Sequence, residues 1–403
     1  MRSAVATLLF ITFSASAQSF EQMTSVRTHD QPMSARSAAM GGTSDTLTSD
    51  PSDLATNPAL VASLKTLSFA FSGVQSGYDV SRYELAPDNL TINRVHLGRD
   101  AQSLAHVSVA VPVRNFVFGA YYRDEPRLRD NEVRPAPGSD QYTLFCDPSS
   151  CFYYLDIDAV AFDRRERRYG ATAAFERGAW SFGAGVELQD LDESHDLVAY
   201  QYTNVLEGRT DLFMRRTSGQ AWVPNAGVRW RISPRVAVAA AYNGGGTFDR
   251  TEDRCAVERA TATCTSEYEA TARARAERPS AYRASITVMP VDRFTLSAQA
   301  VRVNYSQSGV ATSFGPSLVD YRFVDATDVH LGAEYRFTRV PVSLRAGLWR
   351  ESAFSEGSAY EPIGAMDHHT IGAGIHFGGA RLDVAYDDAQ SARRTTVGIT
   401  WTR

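Results

Sequence analysis

The chain has 403 residues, 43% of them apolar and 22% charged, with a formal net charge of −5. No apolar run exceeds about ten residues, half of the ~20 that a spanning helix needs, so a helical membrane protein is excluded. The apolar content is too high for a disordered chain, and the near-balanced charge gives no reason to expect nucleic-acid binding.

At the N-terminus Arg2 precedes a short apolar core over 4–13, and Ala15-Ser16-Ala17 supplies an A-x-A cleavage site. Together these read as a secretory signal peptide over 1–17. Residues 18–63 show no strand periodicity. The stretch 34–60 is rich in small and turn-forming residues and predicts a short helix around 35–40 and a turn at Asn57-Pro58. A leader of this kind ahead of a barrel would sit inside it as a plug.

From 64 to 403 the sequence alternates. Tyr169, Ala171, Ala173 and Phe175 are separated by Gly170, Thr172 and Ala174; Phe182, Ala184, Val186 and Leu188 by Gly183, Gly185 and Glu187; Ile371, Ala373, Ile375 and Phe377 by Gly372, Gly374 and His376. Period two puts the two sets on opposite faces of a strand. A soluble sandwich alternates too, but here the strands are about ten residues long, as a tilted membrane strand requires, and Tyr and Trp cluster near their ends. Short turns at 112–115, 176–179, 232–235, 290–293, 338–341 and 377–380 alternate with longer segments at 77–101, 126–165, 190–216, 247–278, 306–326, 353–366 and 387–392. Six turns and seven loops join fourteen strands, the first at 64–76 and the last at 393–403. The expected fold is therefore all-β: a transmembrane antiparallel β-barrel of about fourteen strands, integral to a bacterial outer membrane, with a plug over 18–63 and both termini periplasmic. The chain ends on Trp401-Thr402-Arg403, an aromatic two residues inside the terminus.

Four cysteines follow the signal, Cys146 with Cys151 and Cys255 with Cys264, as C-x4-C and C-x8-C. Export implies an oxidising compartment and hence disulfides; four cysteines allow three connectivities, and the two local pairs are favoured because each sits in one polar loop. A metal site would lack nearby His at the right spacing. The loop 126–165 carries Tyr142, Leu144, Phe145, Phe152, Tyr153, Tyr154 and Leu155. Such a cluster either captures a ligand or extends strands above the membrane. The loop 247–278 mixes Arg250, Arg254, Arg259, Arg273, Arg275 and Arg278 with acids; Arg could hold a carboxylate headgroup bidentately, but a solvated or lipopolysaccharide-facing loop is the favoured reading. Arg168, Arg229, Arg231, Arg283, Arg336 and Arg345 alternate with apolar residues and are expected in the lumen, paired with Glu176, Glu187 or Glu334. Gly119 in the third strand marks a candidate kink.

Met40-Gly41-Gly42, the acidic turn with Asp50 and Asp53, and Asn57-Pro58-Ala59-Leu60 leading into the first strand resemble the FadL/TodX family of outer-membrane transporters of hydrophobic compounds. The resemblance implies a fourteen-stranded barrel with an N-terminal hatch in which Met40, Gly41, Gly42, Asn57, Pro58 and Ala59 pack and turn the chain. It also implies uptake of apolar molecules such as long-chain fatty acids. Outer loops would catch the solute, with Tyr142, Phe145, Phe152, Tyr153 and Tyr154 as the capture candidates, and release would be sideways through a gap in the wall. The implied surroundings are outer-membrane lipid and lipopolysaccharide, the barrel assembly machinery during biogenesis, and no second copy of the chain. No GxSxG or HExxH occurs, and His368 and His369 start a strand with opposite orientations, so no catalytic residue, metal or cofactor is expected. A general porin and a barrel partner in protein secretion are the rival functions.

Overall fold

The computed structural model describes residues 34–85, 92–125, 128–135, 143–146, 151–203, 210–258, 263–308, 310–312, 320–352, 355–356, 365–389 and 392–403. The signal-peptide expectation over 1–17 lies outside them. No described helix is long and apolar enough to cross a membrane. The chain crosses with strands instead.

Among the described residues fourteen strands form the wall. They are β1 Ser68–Leu85, β2 Ile92–Val113, β3 Phe116–Asp124 continuing as Leu128–Pro135, β4 Cys151–Arg177, β5 Trp180–Thr203 and β6 Thr210–Ser233. Then come β7 Val236–Asn243 continuing as Thr247–Glu258, β8 Thr263–Glu277 continuing as Ala281–Val291, β9 Phe294–Val303 and β10 Ala326–Arg336. The last four are β11 Val342–Glu351, β12 Met366–Phe377, β13 Ala380–Ala389 and β14 Ala392–Thr402. Each pairs antiparallel with the next, and β14 returns to β1 from Ser68↔Thr402 to Tyr78↔Ala392. Closure leaves no edge strand, the condition a sheet must meet in lipid.

The expected short turns are all present, but several expected loops are not. The segments 77–101, 126–165, 190–216 and 247–278 are largely strand: β4 runs for 27 residues and β5 and β6 for 24 each, not about ten. A ladder has no reason to stop at the membrane boundary when polar residues replace apolar ones on its outer face. Tyr142 lies outside the described residues, and the backbone of Phe145 pairs with that of Phe152 in a hairpin of the outer extension.

The outer face is apolar. Phe69, Phe118, Val186, Leu296, Leu331, Leu344, Ile371 and Ile399 are among the large exposed hydrophobics. An aromatic girdle follows the short turns: Trp180 stacks on Trp230 at 5.3 Å, Phe116 lies 5.7 Å from Phe175, and Trp401 lies 5.8 Å from Phe69. Towards the other rim Tyr122 meets Tyr169 at 5.1 Å and Tyr242 meets Tyr282 at 5.0 Å. Trp222 and Trp230 both face outward on β6, about 26 Å apart along a strand rising ~3.3 Å per residue. With a strand tilt of ~40° this is about 20 Å of height, which fits within the ~25 Å apolar band of membrane barrels.

Candidate functional site

The inner face of the wall carries small and polar side chains, and the leader lies against it. Three capped turns shape the leader. Ser34 caps α1, Ala35–Ala39, and its hydroxyl accepts from the Ser37 amide at 3.1 Å. Asp50 caps the 3-10 turn Pro51–Ala55, and Asn57 caps Pro58–Ser63 by accepting from the Ala59 amide at 3.0 Å. Each of the latter two has Pro immediately after the cap, where its missing N–H costs nothing. The helix predicted around 35–40 is thus found, and Asn57-Pro58 begins a 3-10 turn.

Wall glycines admit the leader. A Cβ on Gly347 would collide with the backbone of Gly41, and one on Gly227 with the Asn57 side chain. Gly183 faces Pro58 and Ala59, Gly332 faces Met40, and Gly372 faces Ala39. Gly41 and Gly42 have φ of 65° and 80°, the left-handed region that ends α1 without side-chain strain. Met40, Gly41, Gly42, Asn57, Pro58 and Ala59 therefore all contact or border the wall.

Polar wall side chains then hold the leader backbone. The His330 Nδ1–H donates to the Gly41 carbonyl at 2.7 Å, and the Gly41 amide donates to Thr370 Oγ1 at 2.9 Å. The Thr46 hydroxyl donates to the Ala237 carbonyl at 2.9 Å. Asn57 and Asn243 exchange side-chain bonds with the Ala240 and Ala55 carbonyls. A buried ionic chain completes the contact. Arg36 bonds Asp45 at 2.6 Å and Glu334 at 3.0 Å; Glu334 bonds Arg345 at 2.6 Å, and Arg345 bonds Asp383 at 2.8 Å. Arg381 joins Asp383 to Asp50. The sequence put Arg345 and Glu334 among the lumen pairs without matching them, and it missed Arg36, Asp45 and Asp50 of the leader as their ionic partners.

Of the other lumen arginines, Arg229 reaches Glu176 at 3.1 Å, and Arg168 lies 3.8 Å from Glu187. Arg283 is buried and donates to Asn243 Oδ1. Arg336 and Arg231 are corrected to partly open positions, with side chains 51% and 35% exposed, because they lie one step from the short turns. Arg278 is corrected in the opposite sense. It is not in a solvated loop but buried, pairing with Glu166 of β4 and approaching Glu125. Since β4 and β8 are not neighbours, the cluster Arg278, Glu166, Arg164, Arg168 and Glu125 crosses the lumen.

Between the leader and that ionic bridge the wall is interrupted. β2 and β3 pair from Val113↔Phe116 only as far as His106↔Arg123. Beyond it β3 stays with β4, through Asp124↔Arg167, the Glu125 amide to the Glu166 carbonyl at 3.1 Å, and then Leu128↔Arg164 to Pro135↔Ile157. β2 stays with β1, with a bulge between Ser72 and Val74 at the same level. Ser103 Oγ, donating to the Asp124 carbonyl at 3.3 Å, bridges the lower corner, and a single backbone bridge, Tyr83↔Val133, joins β1 to β3 above. The break falls beyond the His106↔Arg123 pair and not at Gly119. Gly119 stays in the ladder opposite Ala110 and Thr172 and makes room for Leu54 of the leader. Directly below the break Leu54, Ala55, Ala110, Val117, Tyr121 and Ala174 form one apolar cluster.

The side chains of Phe145, Phe152, Tyr153 and Tyr154 lie outside the described residues, as do those of Cys146, Cys151, Cys255 and Cys264. The backbone register sets Cys146 opposite Cys151, while Cys264 faces Val257, two residues from Cys255. Among the described residues no group of His, Cys, Asp and Glu could hold a metal. His368 is buried and His369 faces away, as their alternation implied.

These features define a closed membrane-spanning β-barrel with its own N-terminal segment in the lumen and a gap in one wall ladder. No protein-family model matches the chain, and no curated protein matches it. Solved structures do. A FadL homologue of Pseudomonas aeruginosa matches 92% of this chain and 98% of its own at 14% identity, with a TM-score of 0.67. The toluene transporter TodX of P. putida and the toluene transporter TbuX of Ralstonia pickettii match over the same shares at 14% identity, with TM-scores of 0.57 and 0.56. The chain therefore has the FadL/TodX barrel fold.

Proposed function

We propose that this protein is an integral outer-membrane channel through which apolar molecules pass without energy input, and that it is not an enzyme. The observation that carries this reading is the ladder break above His106↔Arg123, placed over an apolar cluster that the leader itself completes. The gap opens just beyond the girdle pair Tyr122 and Tyr169, at the outer edge of the apolar band, and offers a solute a sideways exit there. Residues 34–63 lie against the inner wall below it, which argues against a water-filled pore in the manner of a general porin. In this reading 18–63 is the hatch, 64–403 the barrel, and the removed segment 1–17 the export signal. The short turns and both termini face the periplasm, and the outer hairpin with Tyr142, Phe145, Phe152, Tyr153 and Tyr154 captures the solute. Disulfides at Cys146–Cys151 and Cys255–Cys264 would brace the outer hairpins, and lipopolysaccharide would surround them. The neighbours named as toluene transporters support the solute class, and fatty acids are a further member of it.

Purification from outer membranes in mild detergent, followed by mass spectrometry of co-purifying small molecules, tests the proposal. A stoichiometric apolar ligand supports it. A tightly bound envelope protein with no ligand would favour the secretion-partner reading, and liposome swelling by small sugars would favour a porin.

A further inference from the structure

The rim formed by the short turns carries a charge opposite to that of the chain. Five of the six turns hold an exposed arginine: Arg114, Arg177, Arg235, Arg293 and Arg339. Lys65, just ahead of β1, is exposed at the same rim. The turns contain only two acids, Glu176 and Asp292. The whole chain has a formal net charge of −5, so these cations are gathered at one end of a molecule that is acidic elsewhere.

Neither acid neutralises the rim. Glu176 is taken by Arg229 at 3.1 Å, with Arg231 at 3.8 Å, both on β6. Asp292 pairs with Arg235 at 2.8 Å. The side chains of Lys65, Arg114, Arg177, Arg293 and Arg339 make no hydrogen bond or ion pair among the described residues. Two of these cations are kept at a conformational cost. Gly178 and Gly378 take the first place of their two-residue turns with φ of 63° and 59°, a region glycine enters freely. Arg114 takes the same place in its turn with φ 56°, and Arg293 takes the second place of its own with φ 76°. Gly or Asn is the ordinary choice there, and a longer L side chain is strained. Arginine retained at a strained turn implies a use for its charge.

The register fixes the depth of these cations. Val113 pairs with Phe116 across Arg114, Arg177 pairs with Trp180, and Val291 pairs with Phe294 across Arg293. Phe337 and Val340 flank Arg339. Val113, Phe116, Trp180, Val291, Phe337 and Val340 are exposed on the outer wall. The cations thus stand immediately beyond the girdle, where hydrocarbon gives way to headgroups. An arginine there lays its stem along apolar surface and presents its guanidinium to phosphate, to which it can donate two parallel hydrogen bonds.

We infer that this rim is a binding ring for anionic phospholipid, of the phosphatidylglycerol kind, in the leaflet that faces the periplasm. Charge complementarity selects the headgroup. A zwitterionic headgroup brings its own ammonium to the phosphate, whereas an anionic one leaves the phosphate to the arginines. The spacing selects a lipid over an acidic protein. The cations are dealt out one to a turn around the barrel, from β2–β3 to β10–β11, which suits many separate headgroups and not one compact surface. The inference rests on the reading that puts the short turns in the periplasm and not on the solute, so uptake and lipid binding can fail separately.

Tryptophan quenching by brominated phospholipids tests it, on the purified full chain in phosphatidylcholine bilayers. Trp180, Trp230 and Trp401 stand at this rim and report on the lipids beside it. Brominated phosphatidylglycerol is expected to bind roughly fivefold more tightly than brominated phosphatidylethanolamine of the same acyl chains, the factor one cation near an anionic headgroup supplies. The preference should vanish at about 1 M salt, where the Debye length is ~3 Å. It should vanish at low salt in the quadruple variant Arg114→Asn, Arg177→Gln, Arg293→Asn and Arg339→Gln. Asn suits the left-handed turn positions, so two of the changes relieve the backbone, and heat-modifiable gel mobility checks that the barrel is closed. The salt series on the unaltered chain decides the matter if the variant does not fold. Equal binding of the two lipids would overturn the inference and leave an acidic periplasmic protein as the partner to seek. A preference that survives salt or the variant would overturn it as well. An epitope inserted at Thr338 tests the placement beneath it. Detection only after the outer membrane is permeabilised is expected, and detection on intact cells would overturn the choice of phospholipid in favour of lipopolysaccharide.

Discussion

Arg36 and Glu334 stand 298 positions apart in the chain, yet Nε and Nη2 of the one donate to Oε2 and Oε1 of the other, each at 3.0 Å. The pair ties α1 to the tenth wall strand. It also sits at the centre of a buried chain in which Arg36, Arg345 and Arg381 alternate with Asp45, Glu334, Asp383 and Asp50.

Breaking such a pair from one side leaves a buried charge uncompensated, at about 3–5 kcal/mol. Arg36→Met is therefore expected to loosen the leader by that order while leaving the barrel closed, because the β1–β14 ladder does not involve it. Limited proteolysis of the leader, with barrel mobility on gels as the control, measures this. Cleavage at the wild-type rate would show that the ionic chain does not hold the leader.

Alanine at Gly347 and at Gly73 should behave differently although both lie in the wall. At Gly347 the added methyl meets Gly41 backbone, which cannot turn aside, whereas at Gly73 the nearest atom is 3.7 Å away. Gly347→Ala should raise single-channel conductance in planar bilayers by displacing the leader, and Gly73→Ala should leave it unchanged. Equal behaviour would mean the leader tolerates displacement at α1.

Two leader carboxyls give docking opposite pH dependences. Burial pushes the Asp50 carboxyl up, but the Arg381 guanidinium and hydrogen bonds from Ser52 and Arg381 outweigh it and hold it well below the usual carboxylate range. Burial, and then the Asp50 charge, hold Asp53 well above that range. A depressed carboxyl stabilises the docked state above its ordinary pKa of about 4 and loses that stabilisation as pH falls further. A raised one opposes docking above about 4 and ceases to do so below it. Leader protection should therefore increase on acidification from neutrality and decline again under about pH 4. Asp53→Asn should flatten the first limb and Asp50→Asn the second, read by protease protection across a pH series. Limbs that respond to the other residue would refute the assignment.

The barrel was legible because alternation is local. Tyr169, Ala171 and Ala173 declare a strand face with no knowledge of the rest of the chain, and the six short turns follow from where alternation is interrupted. The leader's Asn57-Pro58 was legible for the same reason, as a cap with Pro behind it. What could not be read depends on register between distant strands. The wall break is set by where the β2–β3 ladder ends, at His106↔Arg123, so Gly119 was a poor guide to it. Arg278 looks like one charge in a polar run until β8 and β4 face each other across the lumen. The outer hairpins were mistaken for loops because their outer faces carry polar residues, which end the membrane pattern but not the strand.

Uptake by intact cells tests the central claim most directly. Cells expressing the chain and cells carrying an empty vector are given a labelled alkane or alkanol and, separately, a labelled disaccharide. The account expects the apolar solute to enter several-fold faster when the chain is present and the disaccharide to enter at the same rate in both. Faster entry of the disaccharide with no change for the apolar solute would contradict it.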